Sequence, residues 1–437
     1  MNGLPDLPTK FDVIIVGAGP SGSSAAYLLA KKGFKVLLIE RGRGLGDKNL
    51  YGGRVYAPPI REVWPQLDKE APIQRWVTKE RISMVQGDKA ITFEYKAEKK
   101  ISFVSYLTQL TQWMSKKAED AGALFVTEVT IDEIVMKDGK AVGVRSGPDF
   151  IEADVVVDAE GVNRLLLERL GIVERLKPDN IALGVKEILK VGANNIESSF
   201  NLNPDEGVAW VIMGDITKGL PGGGFIYTNK DSISMGLVLH LKHSIDFIQN
   251  GKFDEHVSKL IEEFRFHPYF KPYWKDAIIS EYGAHLTIEG ATHFMPQKFA
   301  YPGLLIVGDA AGLLLSTGYT FRGVDYAVYS GKLAAEAVEF ARNNGGFTYE
   351  NLQIYDKNVR SSFMYNELFK HRGAEQLMND PILMSKYPSI LIKVMEKMFE
   401  GEYKQETVYD ALMQALKEEK VGPFDLISQA FGLVKSI

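Results

Sequence analysis

Two glycine-rich stretches, each directly after an apolar run, have the residue types that bind phosphate and ribose groups. The first is GAGPSG at residues 17–22, which follows the mainly apolar residues 12–16 and begins a helical pattern. Gly17 permits a tight turn, Gly19 lets a pyrophosphate approach the backbone, and Gly22 allows close packing of the helix on the strand. The free amides and positive dipole end at the helix start would then hold the phosphates.

Glu40 completes this dinucleotide-binding pattern, because it ends the next apolar run, where a carboxylate can bind both ribose hydroxyls. The pattern alone leaves open whether the dinucleotide is NAD or FAD. A flavin needs more protein, since its ribitol and ring reach a second strand end.

The second stretch, GDAAGLLLSTGYTFRGVD at residues 308–325, supplies such a strand end. Asp309 follows an apolar run and is predicted to accept hydrogen bonds from ribitol hydroxyls, with a helix N-cap as an alternative or additional role. Amides around Gly312 and Gly323 are predicted to point at the pyrimidine edge of the flavin, which becomes negative on reduction. A third stretch, DAEG at residues 158–161, is small enough for backbone to pass beside the cofactor.

The elements that position these motifs follow an α/β pattern at both ends of an antiparallel middle portion. Predicted strands cover residues 12–16, 35–40, 125–134, 141–144, 150–157, 181–188, 210–213, 224–227, 232–240 and 304–307. Predicted helices cover residues 21–32, 105–121, most of 245–269, 325–343 and the region from 349 onward, with breaks at Pro381, Pro388 and Pro423. Residues 42–59 are rich in glycine and proline and are predicted to be loop.

The composition excludes several classes of function. The 437 residues are 45% hydrophobic and 24% charged, and a formal net charge of −5 argues against a nucleic-acid partner. The absence of cysteine removes disulfides, thiolate nucleophiles and cysteine-ligated clusters. His240 and His243 have no third ligand nearby, so no metal site is predicted.

The N-terminal residues lack the pattern of a signal peptide, and no stretch approaches the ~18–20 apolar residues that span a bilayer. We therefore expect a cytoplasmic protein that contacts the membrane peripherally at most. The segment at residues 264–274, FRFHPYFKPYW, could dip into the membrane interface or end a helix that packs in the core.

Three motifs in this order, GxGxxG with Glu40, DAxG and GDAAG, resemble the FAD-dependent reductases and hydroxylases of the two-domain glutathione-reductase-like class. Finer motifs resemble the FixC branch of the electron-transfer-flavoprotein:quinone oxidoreductase family over nearly the whole chain. They are KNLYGGRVYAPPI (48–60), ALGVKEI (182–188), GGGFIYTNKDSISMGLVL (222–239), EYGAHLTIEG (281–290), the stretch at 308–337 and NDPILMSKYPSILIKVMEKMF (379–399). An arginine that relatives often carry within residues 105–109 is absent here.

This resemblance implies an α/β, two-domain FAD-binding (glutathione-reductase-like) fold with an inserted, mainly antiparallel β-sheet domain and a helical C-terminal region. The FAD-binding domain is predicted from residues 1–75, 100–170 and 295–345. The quinone or substrate domain is predicted from residues 76–99 and 171–294, and the helical region from residues 346–437.

The resemblance also implies an oxidoreductase whose FAD takes electrons from an electron-transfer flavoprotein, with its alpha and beta subunits, and delivers them to membrane quinone. It implies a multi-subunit, electron-bifurcating complex. Because the 437 residues contain no cysteine, the iron–sulfur cluster would lie on a separate small ferredoxin-like protein. No catalytic acid or base is predicted, since electron transfer needs tunnelling distance rather than proton transfer at a scissile bond.

The predicted site has two parts. The cofactor-binding residues are Gly17, Gly19, Pro20, Ser21, Gly22, Glu40, Arg41, Gly52, Gly53, Arg54, Val129, Ala159, Gly161, Gly308, Asp309, Gly312, Gly323 and Val324. The quinone-facing residues are Gly223, Gly224, Phe225 and Tyr227, because a run of three glycines lets a flat ring lie close to backbone. The alternatives are a salt bridge unrelated to the flavin for Arg54, and a β-bulge or tight turn for the glycine run.

Two other functions stay open. A geranylgeranyl reductase that saturates isoprenoid lipids would need the same FAD and a long apolar groove. A flavin-stabilised assembly subunit without turnover would need the cofactor only for its structure. An aromatic hydroxylase is less favoured, because those enzymes carry adjacent Asp and Gly where this chain has DAEG at 158–161.

Overall fold

The computed structural model describes residues 8–47, 53–251, 253, 255–289, 291–374, 385–401 and 405–428. The strands are β1 (Lys10–Val16), β2 (Val36–Ile39), β3 (Gly53–Tyr56), β4 (Arg75–Gln86), β5 (Lys89–Lys96), β6 (Ser102–Ser105), β7 (Leu124–Val126), β8 (Glu133–Lys137), β9 (Lys140–Ser146), β10 (Asp149–Asp158), β11 (Ile181–Lys190), β12 (Glu206–Gly214), β13 (Gly222–Thr228), β14 (Ser232–His240), β15 (Ile278–Ile288), β16 (Ala300–Tyr301), β17 (Leu304–Ile306), β18 (Leu315–Ser316) and β19 (Phe321–Arg322). The helices are α1 (Pro20–Lys31), α2 (Ala57–Val63), α3 (Leu67–Glu70), α4 (Leu107–Asp120), α5 (Leu165–Arg169), α6 (Ala193–Phe200), α7 (Leu241–Gln249), α8 (Lys259–Phe266), α9 (Ala291–Phe294), α10 (Val324–Asn343), α11 (Tyr349–Leu352), α12 (Ile354–Ser361), α13 (Phe363–Lys370), α14 (Tyr387–Phe399) and α15 (Val408–Glu419).

The first sheet carries the dinucleotide-binding motifs at one edge. Its central strands run parallel in the order β17-β10-β1-β2-β7, while β16, β9 and β8 add antiparallel pairs. In register, Val16 lies beside both Ile39 and Asp158, and Asp158 lies beside Ile306. The loops that follow these strands therefore meet at the carboxyl edge, which is where open α/β sheets bind ligands.

The second sheet is mainly antiparallel and runs β15-β11-β14-β13-β12-β4-β6-β3, with β5 on β4 and one parallel pair between β12 and β4. One of its faces packs on a core that includes Phe200, Trp210, Phe264, Phe270 and Trp274. These aromatic side chains meet edge to face or stacked, an arrangement that stabilises a core beyond the area it buries. The opposite face of the sheet is left for the site.

The fold class predicted from the sequence is confirmed: an α/β FAD-binding fold, an antiparallel sheet between its pieces, and helices toward the C-terminus. The domain boundaries themselves stay a prediction. The first βαβ unit, strands β11 to β14 and α10 begin and end within four residues of their predicted ends.

Several local predictions are wrong. Residues 53–59, within the predicted loop, instead form β3 and the start of α2, because Pro58 lies in the first turn of the helix, where its missing N–H costs nothing. Pro388 likewise lies in the first turn of α14 and does not break it. The predicted strand at residues 125–134 is two strands, β7 and β8, and the predicted helix at 245–269 is the two helices α7 and α8.

Strands β4, β5, β6, β15, β16, β18 and β19 were not predicted. The first places Arg75, Lys79 and Arg81 toward a core, where backbone carbonyls and carboxylates satisfy them. These charged residues on the buried side of β4 hide the apolar alternation that predicts a half-buried strand.

Helices α1 and α10 cross closely at Gly331. A Cβ on this glycine would lie 2.1 Å from Oγ of Ser24 and 2.3 Å from the carbonyl oxygen of Ser21. Ser24 Oγ also donates to the carbonyl of Val328, so the crossing is fixed by a hydrogen bond as well as by contact. The short distance between α1 and α10 therefore requires glycine, which has no side chain, at position 331.

We expect Gly331→Ala to lower the free energy of unfolding by about 1–3 kcal/mol, because overpacking forces the helices apart. The cost of overpacking outweighs the higher helix propensity of alanine, which stabilises a helix interior by about 1 kcal/mol relative to glycine. Denaturant unfolding of the variant measures it, with Glu336→Ala on the same helix as a control that stays within about 0.5 kcal/mol of native. A Gly331→Ala protein as stable as the native chain would contradict the close crossing.

Candidate functional site

A cavity of about 460 Å³ opens between the carboxyl edge of the first sheet and the exposed face of the second. Sixteen of the predicted site residues lie on its wall: Gly17, Gly19, Pro20, Ser21, Glu40, Arg41, Gly53, Arg54, Val129, Ala159, Gly161, Phe225, Tyr227, Asp309, Gly323 and Val324. They come from stretches far apart in sequence, so the tertiary structure brings the predicted motifs to one place.

Three predicted cofactor residues lie behind the wall and not on it. Gly22 packs against the carbonyl oxygen of Gly17, where a Cβ would come within 2.0 Å. Gly308 and Gly312 have φ of 62° and 72°, a conformation that favours glycine, and they pack on Ser21 and Met295. These glycines shape the loops. The prediction for Gly52 lies outside the described residues.

The loop at residues 17–22 leaves room for a ligand at one defined position. Gly17 has φ of 104°, and a Cβ on it would lie 2.3 Å from the carbonyl oxygen of Ala159. A Cβ on Gly19, by contrast, would meet nothing within 4 Å. The first hydrogen bond of α1 runs from Ser23 N–H to the Gly19 carbonyl, so the amides of Ser21 and Gly22 precede the helical ladder and are available to an anion.

Glu40 is held beside this loop by two backbone amides. Its carboxylate accepts from Ala18 N–H at 3.0 Å and from Gly42 N–H at 2.7 Å. Each carboxylate oxygen keeps further acceptor capacity toward the cavity, which is what a ribose hydroxyl requires. Val129 closes this end through a hydrogen bond from its N–H to the Glu40 carbonyl.

Asp158 and Glu160 form a close carboxyl pair at the end of β10. Burial raises the pKa of Asp158 well above its ordinary value, and the neighbouring Glu160 raises it further. Burial also raises the pKa of Glu160, but the amides of Leu166 and Leu167 at the start of α5 donate to it and favour its charged form. Of the two carboxyls, Asp158 therefore favours its protonated form more strongly, and Glu160 is the one that lies on the cavity wall.

Asp309 lies at the far end of the cavity, in a turn of 3₁₀ helix at Gly308–Ala311. Burial raises the pKa of its carboxyl, and His285 on β15 acts in the opposite direction. The N-cap position of this turn is Val307 and not Asp309, so the N-cap alternative is wrong for this turn. The carboxyl is left facing the cavity, where hydroxyl groups of a ligand can donate to it.

Arg54 extends from β3 to the cavity, and its guanidinium is bound by neighbouring side chains. Its guanidinium donates to both carboxylate oxygens of Glu80 and, through Nε at 3.0 Å, to Ser102. Burial raises the pKa of Glu80, and Arg54 opposes that rise. The salt bridge that was weighed against a cofactor contact is thus present, and the guanidinium still lines the cavity.

A smaller cavity of about 50 Å³ adjoins the first. Gly222, Gly223 and Gly224 line it, and Arg54, Phe225 and Tyr227 line both cavities. The three glycines lie inside β13 and pair regularly with β14, so the alternative of a bulge or tight turn is wrong. His240 also lines this cavity, and burial lowers its pKa to about 4, which leaves it neutral.

Several residues on the wall were not predicted from the sequence, including Lys186, His285, Glu160 and Phe321. Lys186 and His285 lie on the second sheet, in the motifs ALGVKEI and EYGAHLTIEG, which were used only as signs of resemblance. These two residues could have been recognised in the sequence, because each is a basic residue within an otherwise mainly apolar strand pattern.

The aromatic segment at residues 264–274 is mainly core. Phe264, Phe270 and Trp274 are buried, and only Phe266 exposes most of its ring area. Within the part of the chain that the structure describes, no helix is both long and apolar enough to cross a membrane. Nor do three or more His, Asp or Glu side chains meet there in a way that could hold a metal ion.

Comparisons with known proteins agree on the kind of protein. Residues 15–57 match a family described as an NAD(P)-binding Rossmann-like domain. The chain is 38% identical over 395 residues to the probable electron transfer flavoprotein-quinone oxidoreductase YdiS of Escherichia coli K12, covering 89% of this chain and 90% of that protein. It is 36% identical to Protein FixC of the same strain, with the same coverage, and 36% identical to Protein FixC of Bradyrhizobium diazoefficiens, with 89% of each chain covered.

Solved structures with the same fold are FAD-dependent or related proteins at low sequence identity. A geranylgeranyl bacteriochlorophyll reductase-like protein from Thermoplasma acidophilum superposes with a TM-score of 0.70 at 20% identity, covering 97% of this chain and 99% of that one. The FAD-dependent halogenase CndH gives 0.64 at 17% identity, over 94% and 97%. At such identities the likeness establishes the fold alone.

Proposed function

The chain belongs to the FixC-like family of electron transfer flavoprotein-quinone oxidoreductases, and from that premise we propose that it binds FAD in the larger cavity and passes electrons from an electron-transfer flavoprotein to quinone. The observation that carries the proposal is the convergence of three strand ends, after β1, β10 and β17, on one cavity wall. Bound FAD would supply the two-electron chemistry, and the protein would supply position and electrostatics.

The residues on the wall fit FAD. The open space at Gly19 beside the free amides of α1 accommodates a pyrophosphate, and Glu40 is oriented for a ribose. Asp309 lies where a ribitol would extend, with a raised pKa that hydroxyl donors would lower again. Together with Gly323 and Val324 at the start of α10, these groups would hold the cofactor along the cavity.

Quinone is proposed to bind where the two cavities adjoin, against Gly223, Gly224, Phe225 and Tyr227. Phe225 and Tyr227 stack with centroids 5.3 Å apart and present a flat apolar face. A quinone ring lying on this face would be adjacent to the larger cavity, which suits electron transfer without a covalent step.

We further propose a peripheral position at the cytoplasmic membrane, since quinone is a membrane molecule, and a multi-subunit bifurcating complex. A separate ferredoxin-like protein would carry the iron–sulfur cluster, because none of the 437 residues is cysteine.

The test is to purify the chain with its neighbours, load it with FAD, and measure quinone reduction by reduced electron-transfer flavoprotein. We expect quinone-dependent reoxidation of the bound flavin and net electron flow to quinone. An intact, flavin-loaded complex with no flow to quinone would contradict the proposal and favour an assembly role.

A reductase of isoprenoid double bonds is the second candidate, because the Thermoplasma protein shares the fold over nearly the whole chain. Incubation of the reduced, FAD-loaded chain with a geranylgeranyl lipid separates the two. Saturated product without any response to electron-transfer flavoprotein would favour this second function.

A further inference from the structure

Lys186 lies in the middle of β11, and its side chain extends into the larger cavity. Strand alternation turns its neighbour Glu187 to the other face, where Glu187 pairs with Arg265 at 2.7 Å. Lys186 itself lines the larger cavity, and its Nζ lies 4.0 Å from the place that a Cβ on Gly53 would occupy. Its side chain thus extends from one side of the sheet toward β3.

The strands beside Lys186 leave space around it. Gly283 on β15 and Gly236 on β14 are its register partners, so neither strand places a side chain directly opposite the lysine. The ring of Phe225 fills the space above Gly236, where a Cβ would lie 2.3 Å from its Cζ. The Lys186 ammonium lies 5.3 Å from the centroid of that ring. The glycines therefore place one cation beside the proposed quinone face.

We propose that Lys186 is a catalytic residue that donates a proton to a quinone oxygen as the quinone is reduced, an inference that rests on the proposed function above. The quinone takes two electrons from the reduced cofactor and two protons. For one proton, an N–H bond of the ammonium breaks and an O–H bond forms on the quinone, and the electron pair stays on the neutral amine. Water returns this proton to the amine and supplies the second proton to the quinone.

The other titratable groups around this part of the cavity serve this role less well. Arg54 on β3 is held by Glu80 on β4, and a guanidinium does not release its proton. Burial raises the pKa of Tyr227 on β13 to about 12. His285 on β15 is exposed at the wall, across from Asp309. Burial lowers the pKa of Lys186 to about 8, so this ammonium can both hold and release a proton near neutrality.

Two substitutions separate proton donation from charge alone. Lys186→Met removes both charge and proton, whereas Lys186→Arg keeps the charge but does not release a proton. We expect both to slow quinone reduction by the FAD-loaded complex on the order of 10²-fold, the usual contribution of a general acid. Lys190→Met, on the same strand but exposed, is the matched control and should leave the rate unchanged.

Reoxidation by ferricyanide, which accepts an electron without a proton, should be equal in all four proteins. A Lys186→Arg protein with the native quinone rate would overturn the proposal, as would equal quinone rates in all four. A native complex that reduces ferricyanide but not quinone would overturn the proposed function itself, and with it this inference.

A readout independent of turnover is the titration of ¹³Cε-labelled lysines by NMR in the isolated chain. One lysine signal should titrate near pH 8 in the native protein and the Lys190→Met control, and be missing from both Lys186 variants. If no such signal exists, Lys186 holds its proton too tightly to donate it and the proposal is overturned.

Discussion

Gly19→Ala is expected to fold as stably as the native chain and to bind FAD roughly 10- to 100-fold more weakly. Gly19 has φ of −68°, which alanine adopts without strain, and a Cβ there meets no protein atom within 4 Å. The methyl group would instead occupy the space that the proposed pyrophosphate needs. Thermal unfolding of the FAD-free protein and a fluorescence titration with FAD measure the two quantities separately.

The neighbouring glycine provides the matched contrast. A Cβ on Gly22 would lie 2.0 Å from the carbonyl oxygen of Gly17, so Gly22→Ala should destabilise the fold even without FAD. If Gly19→Ala bound FAD with native affinity, the pyrophosphate would not lie against this loop, and the proposed cofactor position would be wrong.

Arg322→Met is expected to lower the free energy of unfolding by about 3–5 kcal/mol, because it leaves a buried carboxylate without its cation. Arg322 donates to Oδ2 of Asp325 at 2.7 Å and to Oε2 of Glu367 at 2.6 Å. Asp325 is 1% exposed, and the guanidinium lies 4.7 Å from the ring centroids of both Tyr56 and Tyr326. Chemical denaturation at pH 7.5 measures the loss.

The size of this loss should depend on pH. Burial raises the pKa of Asp325 to about 6, and Arg322 holds it from rising further. Without the arginine, the folded-state pKa rises further above the unfolded value near 3.9, so the folded variant takes up a proton that the unfolded chain does not. Stability of the variant therefore increases as the pH falls through the folded-state pKa, and its deficit against native should be smaller at pH 5 than at pH 7.5.

Two controls test this explanation. Arg322→Met with Asp325→Asn removes both charges and should recover part of the stability. Arg145→Met breaks an exposed pair with Glu133 and should cost less than about 1 kcal/mol. An Arg322→Met protein no less stable than Arg145→Met would contradict a structural role for the buried pair.

The parts of the site that sequence could predict are those with a local backbone requirement. The glycines at 17, 22, 308 and 312 stand where positive φ or close contact excludes a side chain, and Asp309 follows its strand within three residues. Such backbone requirements act within a few residues, so they produce a spacing of glycines that can be recognised in the sequence. The predicted loop at residues 42–59 is wrong at residues 53–59, because proline in the first turn of a helix cannot be told from proline in a loop by composition.

Contacts between distant residues left no such spacing. The pair of Arg54 with Glu80 joins β3 to β4, and the position of Lys186 above Phe225 depends on the register of three strands. A shift of one residue in that register would turn the lysine to the opposite face of the sheet.

By itself, the sequence determined the dinucleotide-binding unit, the second strand end at Asp309 and the fold class, because short-range glycine and apolar patterns encode them, and the resemblance of longer motifs indicated the family. Only the tertiary structure decided that the strand ends and the antiparallel sheet enclose one cavity, and that Lys186 and His285 line it. The physical reason is that side-chain positions across a sheet follow from pairing and burial between strands far apart in the chain, which no local spacing records.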